Sequence, residues 1–563
     1  MKETIQWEQS LAELRKTGDA DKQLDLLKHC SDMPLTHPAQ LKIYHDTLLF
    51  LIAYPLAVKV YKLAEKELNR VAMTIKLKQS SLFWQRALYG SGLPYTELQC
   101  QYSADVTAWI MGKFGEMAEP IAATNSNEVT KMLWQAMLPG IEFYKSTQGN
   151  GSLWSRIKKI SGYNQDKKAL LWIIQLFKQQ TWNPLLKELL FNDLGIFVKW
   201  TLQDIDFSRS FLRCPIQAVR YNKATSNRIN SSSIVKTLLP KPFLLTQKEK
   251  IALIDICRTS LALYYRETDP VTFADPAETF LYDMGNGLQI VLTGMQKSWR
   301  LSLESYIGFM AFKNGVPIAY GGGWIFGHRC KIGVNIYPPF RGAESGKIFC
   351  QVMRLYYQVY NARHFIVKPY QFGKGNPDGL KSGAFWFYYK LGFRPKENSI
   401  NETASAEWKK IKEDKKYRTP ITILKIFTSC NMQLEPVKND TGNFNADFIS
   451  IAVTDMINTR FSGDRETAIS VCSKELADFL GMNNPSQTDH LKQHSWQNWA
   501  LLFAILPGTK KWNKQQRKKF LEVLQLKDSG SEKDHIVALQ NHKGFWVSVK
   551  QLPMDVMVNN KLS

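Results

Sequence analysis

The sequence predicts an α+β protein: a central mixed β-sheet domain flanked by mainly helical N-terminal and C-terminal regions. Three observations carry this. From residue 1 to about 235, and again from about 430 onward, apolar residues recur at helical spacing between Gly, Pro and Ser breaks. Strand signals concentrate between about 285 and 397. Inside that stretch, Lys313-Asn314-Gly315 separates two apolar runs. Asn-Gly is the strongest short hairpin signal, because both turn residues tolerate positive φ. The expected units are a helical region over 1–235, a central domain over 236–430 and a helical region over 431–563.

The N-terminal stretches Ile43–Asn69 and Lys167–Gln180 read as helices, and the polar segment Tyr221–Ser233 reads as a linker. A further helix is expected over Gln247–Arg266, before Thr268-Asp269-Pro270. The central domain follows with strands over Ser305–Phe312, Val316–Tyr320 and Lys331–Tyr337. Gly321–Gly323 are expected either to bulge their strand or to serve packing. Gly346–Tyr360 is helical, with Lys347, Gln351, Arg354 and Gln358 on one face. His364–Lys368 is a short strand and Ala384–Lys390 opens another helix. Residues 402–418, rich in Lys and Glu, suit an exposed helix or linker.

At 563 residues the chain is too long for one ordinary core. Its 44% hydrophobic and 22% charged residues fit a globular protein. The start is polar, and the longest apolar run, Leu48–Val58, is broken by Pro55. It is shorter than the ~20 residues of a membrane-spanning helix. Eight dispersed cysteines show no CxxC spacing, so no metal is expected, and reduced thiols in a cytoplasmic protein are. The net charge is +23, concentrated in part: residues 151–250 hold 17 basic and 6 acidic residues, and residues 301–400 hold 13 and 4. Such an excess attracts polyanions, including tRNA, or a phosphorylated ligand.

Two short segments carry chemistry. In Ile336-Tyr337-Pro338-Pro339-Phe340-Arg341-Gly342-Ala343-Glu344-Ser345-Gly346, a strand feeds a small-residue turn that opens a helix. The unpaired N–H groups of a helix N-terminus suit phosphate. In Gly383-Ala384-Phe385-Trp386-Phe387-Tyr388-Tyr389-Lys390-Leu391-Gly392-Phe393, an aromatic helix ends at a glycine before a new strand.

Together these segments resemble the GNAT superfamily of N-acetyltransferases over about 110 of 563 residues. The family's turn reads R/Q-x-x-G-x-G/A, and its later helix reads A-x-x-F-Y-x-K-x-G-F. Ala384, Phe387, Tyr388, Lys390, Gly392 and Phe393 match the helix, and Arg341 and Gly346 match the ends of the turn. Glu344 stands at the middle glycine of the turn, where a carboxylate repels a pyrophosphate unless it points away. The resemblance implies acyl-CoA as cosubstrate, held by Val334, Ile336, Arg341, Gly342, Ala343, Ser345 and Gly346. It implies an amine acceptor on a small molecule or protein, and Tyr388 as the acid that protonates the leaving thiolate. Candidates for the base are Glu304, His328, Asp283 and Glu278. Two other readings stand beside it: a catalytically degenerate scaffold or binding protein, and a transferase that takes an aminoacyl group from tRNA using the basic surface.

Overall fold

The computed structural model describes residues 2–121, 133, 135–142, 153–222, 230–342, 344–438, 442–482 and 490–552. The protein is α+β, built on an eight-stranded mixed sheet with helices around it.

The chain opens with five helices: α1 (Lys2–Leu14), α2 (Ala20–Asp32), α3 (Pro38–Ala53), α4 (Val58–Leu77) and α5 (Leu82–Leu88). The stretch Ile43–Asn69, read as helical, is shared between α3 and α4, because Pro55 cannot continue the ladder after α3. These helices share one core with the main sheet: Tyr44, Leu48 and Leu51 belong to the same cluster as Ile290, Ile318 and Phe349.

The next segment adds strands to a region expected to be mainly helical. Strands β1 (Glu97–Cys100), β2 (Ala118–Ile121) and β3 (Phe197–Thr201) form a small antiparallel sheet in the order β1-β3-β2. Helices α6 (Ala104–Lys113), α7 (Leu153–Ser161), α8 (Asp166–Gln179) and α9 (Pro184–Asp193) pack around it. Its separate core includes Phe114, Ile173, Phe177 and Trp200. Of the expected linker Tyr221–Ser233, residues 223–229 lie outside the described residues, and Ser231 already begins a short helix.

Helix α10 (Gln247–Ala262) starts at a capping box, with Thr246 and Glu249 satisfying each other's backbone N–H groups. The main sheet follows: β4 (Ala274–Gly285), β5 (Leu288–Met295), β6 (Ser305–Lys313), β7 (Val316–Phe326), β8 (Arg329–Ile336), β9 (His364–Val367), β10 (Arg394–Pro395) and β11 (Met432–Leu434). Their order is β10-β11-β9-β8-β7-β6-β5-β4. Every residue of β5 and β6 is buried, as expected of strands covered on both faces. The β6–β7 hairpin turns at Asn314 and Gly315, whose φ angles are 46° and 78°. The Asn314 side chain also donates to the Ala53 carbonyl at 3.1 Å, which ties the hairpin tip to the N-terminal helices.

Gly321–Gly323 do not bulge β7: its ladder with β8 runs unbroken from Ala319 to Phe326. They serve close packing, since a Cβ at Gly322 would meet the Tyr306 ring and one at Gly323 the Tyr356 ring.

β8 and β9 pair in parallel, joined by helix α11 (Ser345–Val359). Helix α12 (Ala384–Lys390) precedes β10. The C-terminal region is helical, as expected. It includes α13 (Ala446–Phe461), α14 (Arg465–Leu480), α15 (His490–Ile505), α16 (Lys514–Ser529), α17 (Glu532–Asn541) and α18 (Lys543–Lys550) around Trp499, Phe520 and Phe545. Among the described residues, no helix is long and apolar enough to cross a membrane.

A buried charge cluster joins this bundle to the sheet. Lys527 lies 3.2 Å from Glu532, and both side chains are almost fully enclosed. Glu532 also accepts from the Ser305 hydroxyl at 2.6 Å, while Arg300 pairs with Glu278 of β4 at 3.2 Å. Burial pushes the Glu532 carboxyl up, but the neighbouring cations, Lys527 first and then Arg300, outweigh it and hold it below the usual carboxylate range. His535 is driven down to about 3, first by burial and then by Lys527.

Two expectations follow. Lys527→Met leaves buried carboxylates uncompensated and should cost about 3–5 kcal/mol in denaturant unfolding. A loss under about 1 kcal/mol would place the pair in the class of screened surface bridges. His535 is neutral when folded and titrates near 6.5 when unfolded. Its contribution is therefore intact above pH ~6.5 and declines as pH falls toward 3, because the unfolded chain takes up the proton first. His535→Gln should flatten the fall in stability between pH 6.5 and 5; an unchanged slope would assign it to other groups.

Candidate active site

The site begins with unequal strand lengths. β8 pairs with β9 only at Arg329–His364, Cys330–Phe365 and Lys331–Ile366. It then continues to Ile336, still paired with β7 on its other side. Among the described residues, the β9-facing edge of Ile332–Ile336 therefore has no strand partner. Val334 and Ile336 are half-buried along this stretch and Asn335 is exposed. A strand edge without a ladder partner can take an extended ligand by backbone hydrogen bonds.

The crossover leaves β8 through a short 3₁₀ turn, Pro338–Phe340, and enters α11 at Ser345. Arg341 and Gly342 are exposed, and Gly342 has φ 83°, a conformation that favours glycine. Ser345 and Gly346 are half-buried in the first turn of α11. Ala343 lies outside the described residues. The Arg15 guanidinium donates to the Pro339 carbonyl, so α1 and the segment after it brace the turn from outside.

Glu344 occupies the N-cap of α11 without capping it. Its carboxylate is taken by Lys313 at 2.8 Å and by Lys347 at 3.3 Å. The Lys313 side chain is only 2% exposed, and its ammonium lies 5.1 Å from the Tyr54 ring centroid. Burial raises the Glu344 carboxyl, yet Lys313 and Lys347 prevail and keep it below the usual range. The charge that the sequence sets beside the turn is thus neutralised by the hairpin. Lys313 is a site residue that the sequence reading missed.

Tyr388 lies on α12 and is 2% exposed. Its ring meets Phe349, Phe372, Phe387 and Phe393 at centroid distances of 5.7, 6.5, 5.0 and 5.8 Å. Phe349 is in the second turn of α11 and Phe372 follows β9, so Tyr388 stands at the end of the sheet where β8 outruns β9. Burial alone pushes its phenol above the usual value, so it stays protonated at neutral pH.

Gln371 covers Gly333 on the sheet face: a Cβ placed there would lie 2.7 Å from the Gln371 amide nitrogen. Beyond the end of β9, a hollow of about 530 Å³ is lined by Lys368, Tyr370, Lys374, Lys396, Glu397 and Cys430, among others. No local motif marks these residues, which come from three separate loops.

The structure does not bring the other candidate bases to this end. Glu304 forms an ion pair with Lys331 at 2.8 Å, and His328 has its Nδ1 3.1 Å from the Asn361 carbonyl. Both lie at the level of the N-terminal end of β8, away from Tyr388. Burial also lowers the pKa of His328. Glu278 belongs to the buried cluster under α17, and Asp283 accepts the Gly285 N–H at the β4–β5 turn. Among the described residues there is no group of three or more His, Cys, Asp or Glu placed to hold a metal ion.

Glu344→Ala strands the Lys313 ammonium in the core. It should cost about 2–3 kcal/mol in chemical denaturation, below the ~3–5 of an enclosed pair because Glu344 is one-fifth exposed. Adding Lys313→Met should recover part of that loss. A Glu344→Ala protein as stable as the parent would show that the pair is screened by solvent. Compared with known proteins, the chain matches no family model, no curated protein and no solved structure.

Proposed function

We propose that the protein is an acyltransferase that moves an acyl group from a CoA thioester to an amine acceptor. The observation that carries this reading is the unpaired edge of β8 after Lys331, placed beside the N-terminus of α11. The pantetheine arm would lie along that edge as an added strand. The diphosphate would meet the N–H groups of Ser345, Gly346 and Lys347, with Arg341 nearby. The Glu344–Lys313 pair supports this reading, because it draws the carboxylate's charge into the hairpin.

In the reaction the amine lone pair attacks the thioester carbonyl, and the C–S bond then breaks. Backbone N–H groups after Gly333 polarise the carbonyl. Tyr388, protonated and at this end of the sheet, donates its proton to the departing thiolate. Glu397, the carboxylate in the hollow beyond β9, takes the proton that the amine loses. Glu304 and His328 have no part in this arrangement, for they lie at the other end of β8. Gln371 covers Gly333 on one sheet face and must accommodate the ligand.

A second reading rests on one observation: the Tyr388 ring is held by four aromatic neighbours, as a packing residue would be. On that reading the domain binds a partner without catalysis.

Calorimetric titration with acetyl-CoA, followed by single-turnover assays with amine acceptors, separates the two. Tyr388→Phe keeps the ring and should slow transfer by about 10²–10⁴ while leaving affinity unchanged. Turnover at the parent rate would make Tyr388 a packing residue. No binding at millimolar acetyl-CoA would favour the non-catalytic reading.

A further inference from the structure

A second cleft, of about 540 Å³, lies between the end of α4, helix α5 and the edge of the small sheet. Its construction follows from the local sequence. α4 stops at Leu77, and the Lys78 N–H turns back onto the Thr74 and Ile75 carbonyls. The chain reverses through α5 and returns to β1 past Tyr95, which has φ 61°. A left-handed tyrosine is a strained residue, of a kind that clusters at functional sites. Its backbone is held on both sides: the Tyr95 N–H donates to the Leu202 carbonyl at 2.9 Å, and the Gln79 amide donates to the Tyr95 carbonyl at 3.3 Å.

The lining combines three kinds of group. Trp84, Tyr89 and Tyr95 supply aromatic surface, with Trp84 only 6% exposed and Tyr89 47%. Lys78 and Arg86 supply positive charge. Both are exposed, and neither forms an ion pair among the described residues. Gln79, Gln85 and Gln203 supply carboxamides. The lining includes one carboxylate, Glu97. A purely apolar ligand would leave the two cations without a counter-charge, and a small inorganic anion would leave the aromatic surface unused. Aromatic surface, uncommitted cations and carboxamides together match a planar base bearing a phosphate. The volume falls within the range of small-ligand sites.

We propose that this cleft binds a nucleotide, with its base on the aromatic side chains and its phosphate on Lys78 and Arg86. The assignment is independent of the acyl-transfer reading, because the cleft is built from other elements. The same chemistry is offered by a free mononucleotide and by an unpaired residue of an RNA strand.

Calorimetry with AMP and ATP, and fluorescence anisotropy with a labelled single-stranded RNA decamer at 50 and 200 mM KCl, tell these sources apart. The full chain is used throughout. Binding of AMP or ATP identifies a free nucleotide; RNA binding that weakens with salt, without mononucleotide binding, identifies a strand. In either case Lys78→Gln/Arg86→Gln and, separately, Tyr89→Ala should each weaken binding about tenfold or more. Lys248→Gln, at the exposed start of α10, should leave it unchanged. These residues are on the surface, and circular dichroism checks that the variants fold. No binding of any probe at millimolar mononucleotide or micromolar RNA overturns the proposal, as does binding that the cleft variants do not alter.

Discussion

The arrangement depends on one constraint: β8 has a full-length antiparallel partner in β7 and only a three-residue parallel partner in β9. A parallel neighbour requires a crossover, and here the crossover helix α11 must start where β8 ends. The turn, the helix N-terminus and the unpaired strand edge therefore coincide at one end of the sheet. Ligands of open sheets gather at the carboxyl ends of parallel strands for this reason. Tyr388 reaches the same end because α12 packs near the start of α11, on Phe349 of its second turn.

The flanking regions hold this end in place from two directions. The N-terminal helices share the sheet's core and grip the hairpin tip through Asn314. That grip fixes Lys313, the adjacent residue, which in turn fixes Glu344. The C-terminal bundle instead engages the opposite end, where Ser305, Glu278 and Arg300 meet Lys527 and Glu532. A cluster with several opposing charges tolerates enclosure only while each partner is present. The sheet is thus pinned at both ends, and the short parallel junction between β8 and β9 is relieved of that task.

Much of this was legible in the sequence where local rules decide. Asn314-Gly315 announced its hairpin, the helix expected over Gln247–Arg266 does open at Gln247, and the spacing from Gly346 to Tyr360 gave α11 within a residue. The small sheet was not legible, because β1, β2 and β3 are four or five residues long and stand among amphipathic helices. Lys313 was invisible as the partner of Glu344, since register rather than sequence distance brings them together. For the same reason Glu304 and His328 read as neighbours of the site, although strand direction carries them to its far end. The aromatic run around Tyr388 was clear as a helix, but its burial arises from contacts with Phe349 and Phe372, which other segments supply.

Hydrogen exchange read out at individual backbone amides, with and without acetyl-CoA, tests the central claim most directly. The account predicts that the ligand slows exchange at Val334–Ile336 and in the first turn of α11, while amides of β4 and β5 are unchanged. Equal exchange along the β8 edge with and without saturating ligand would contradict it.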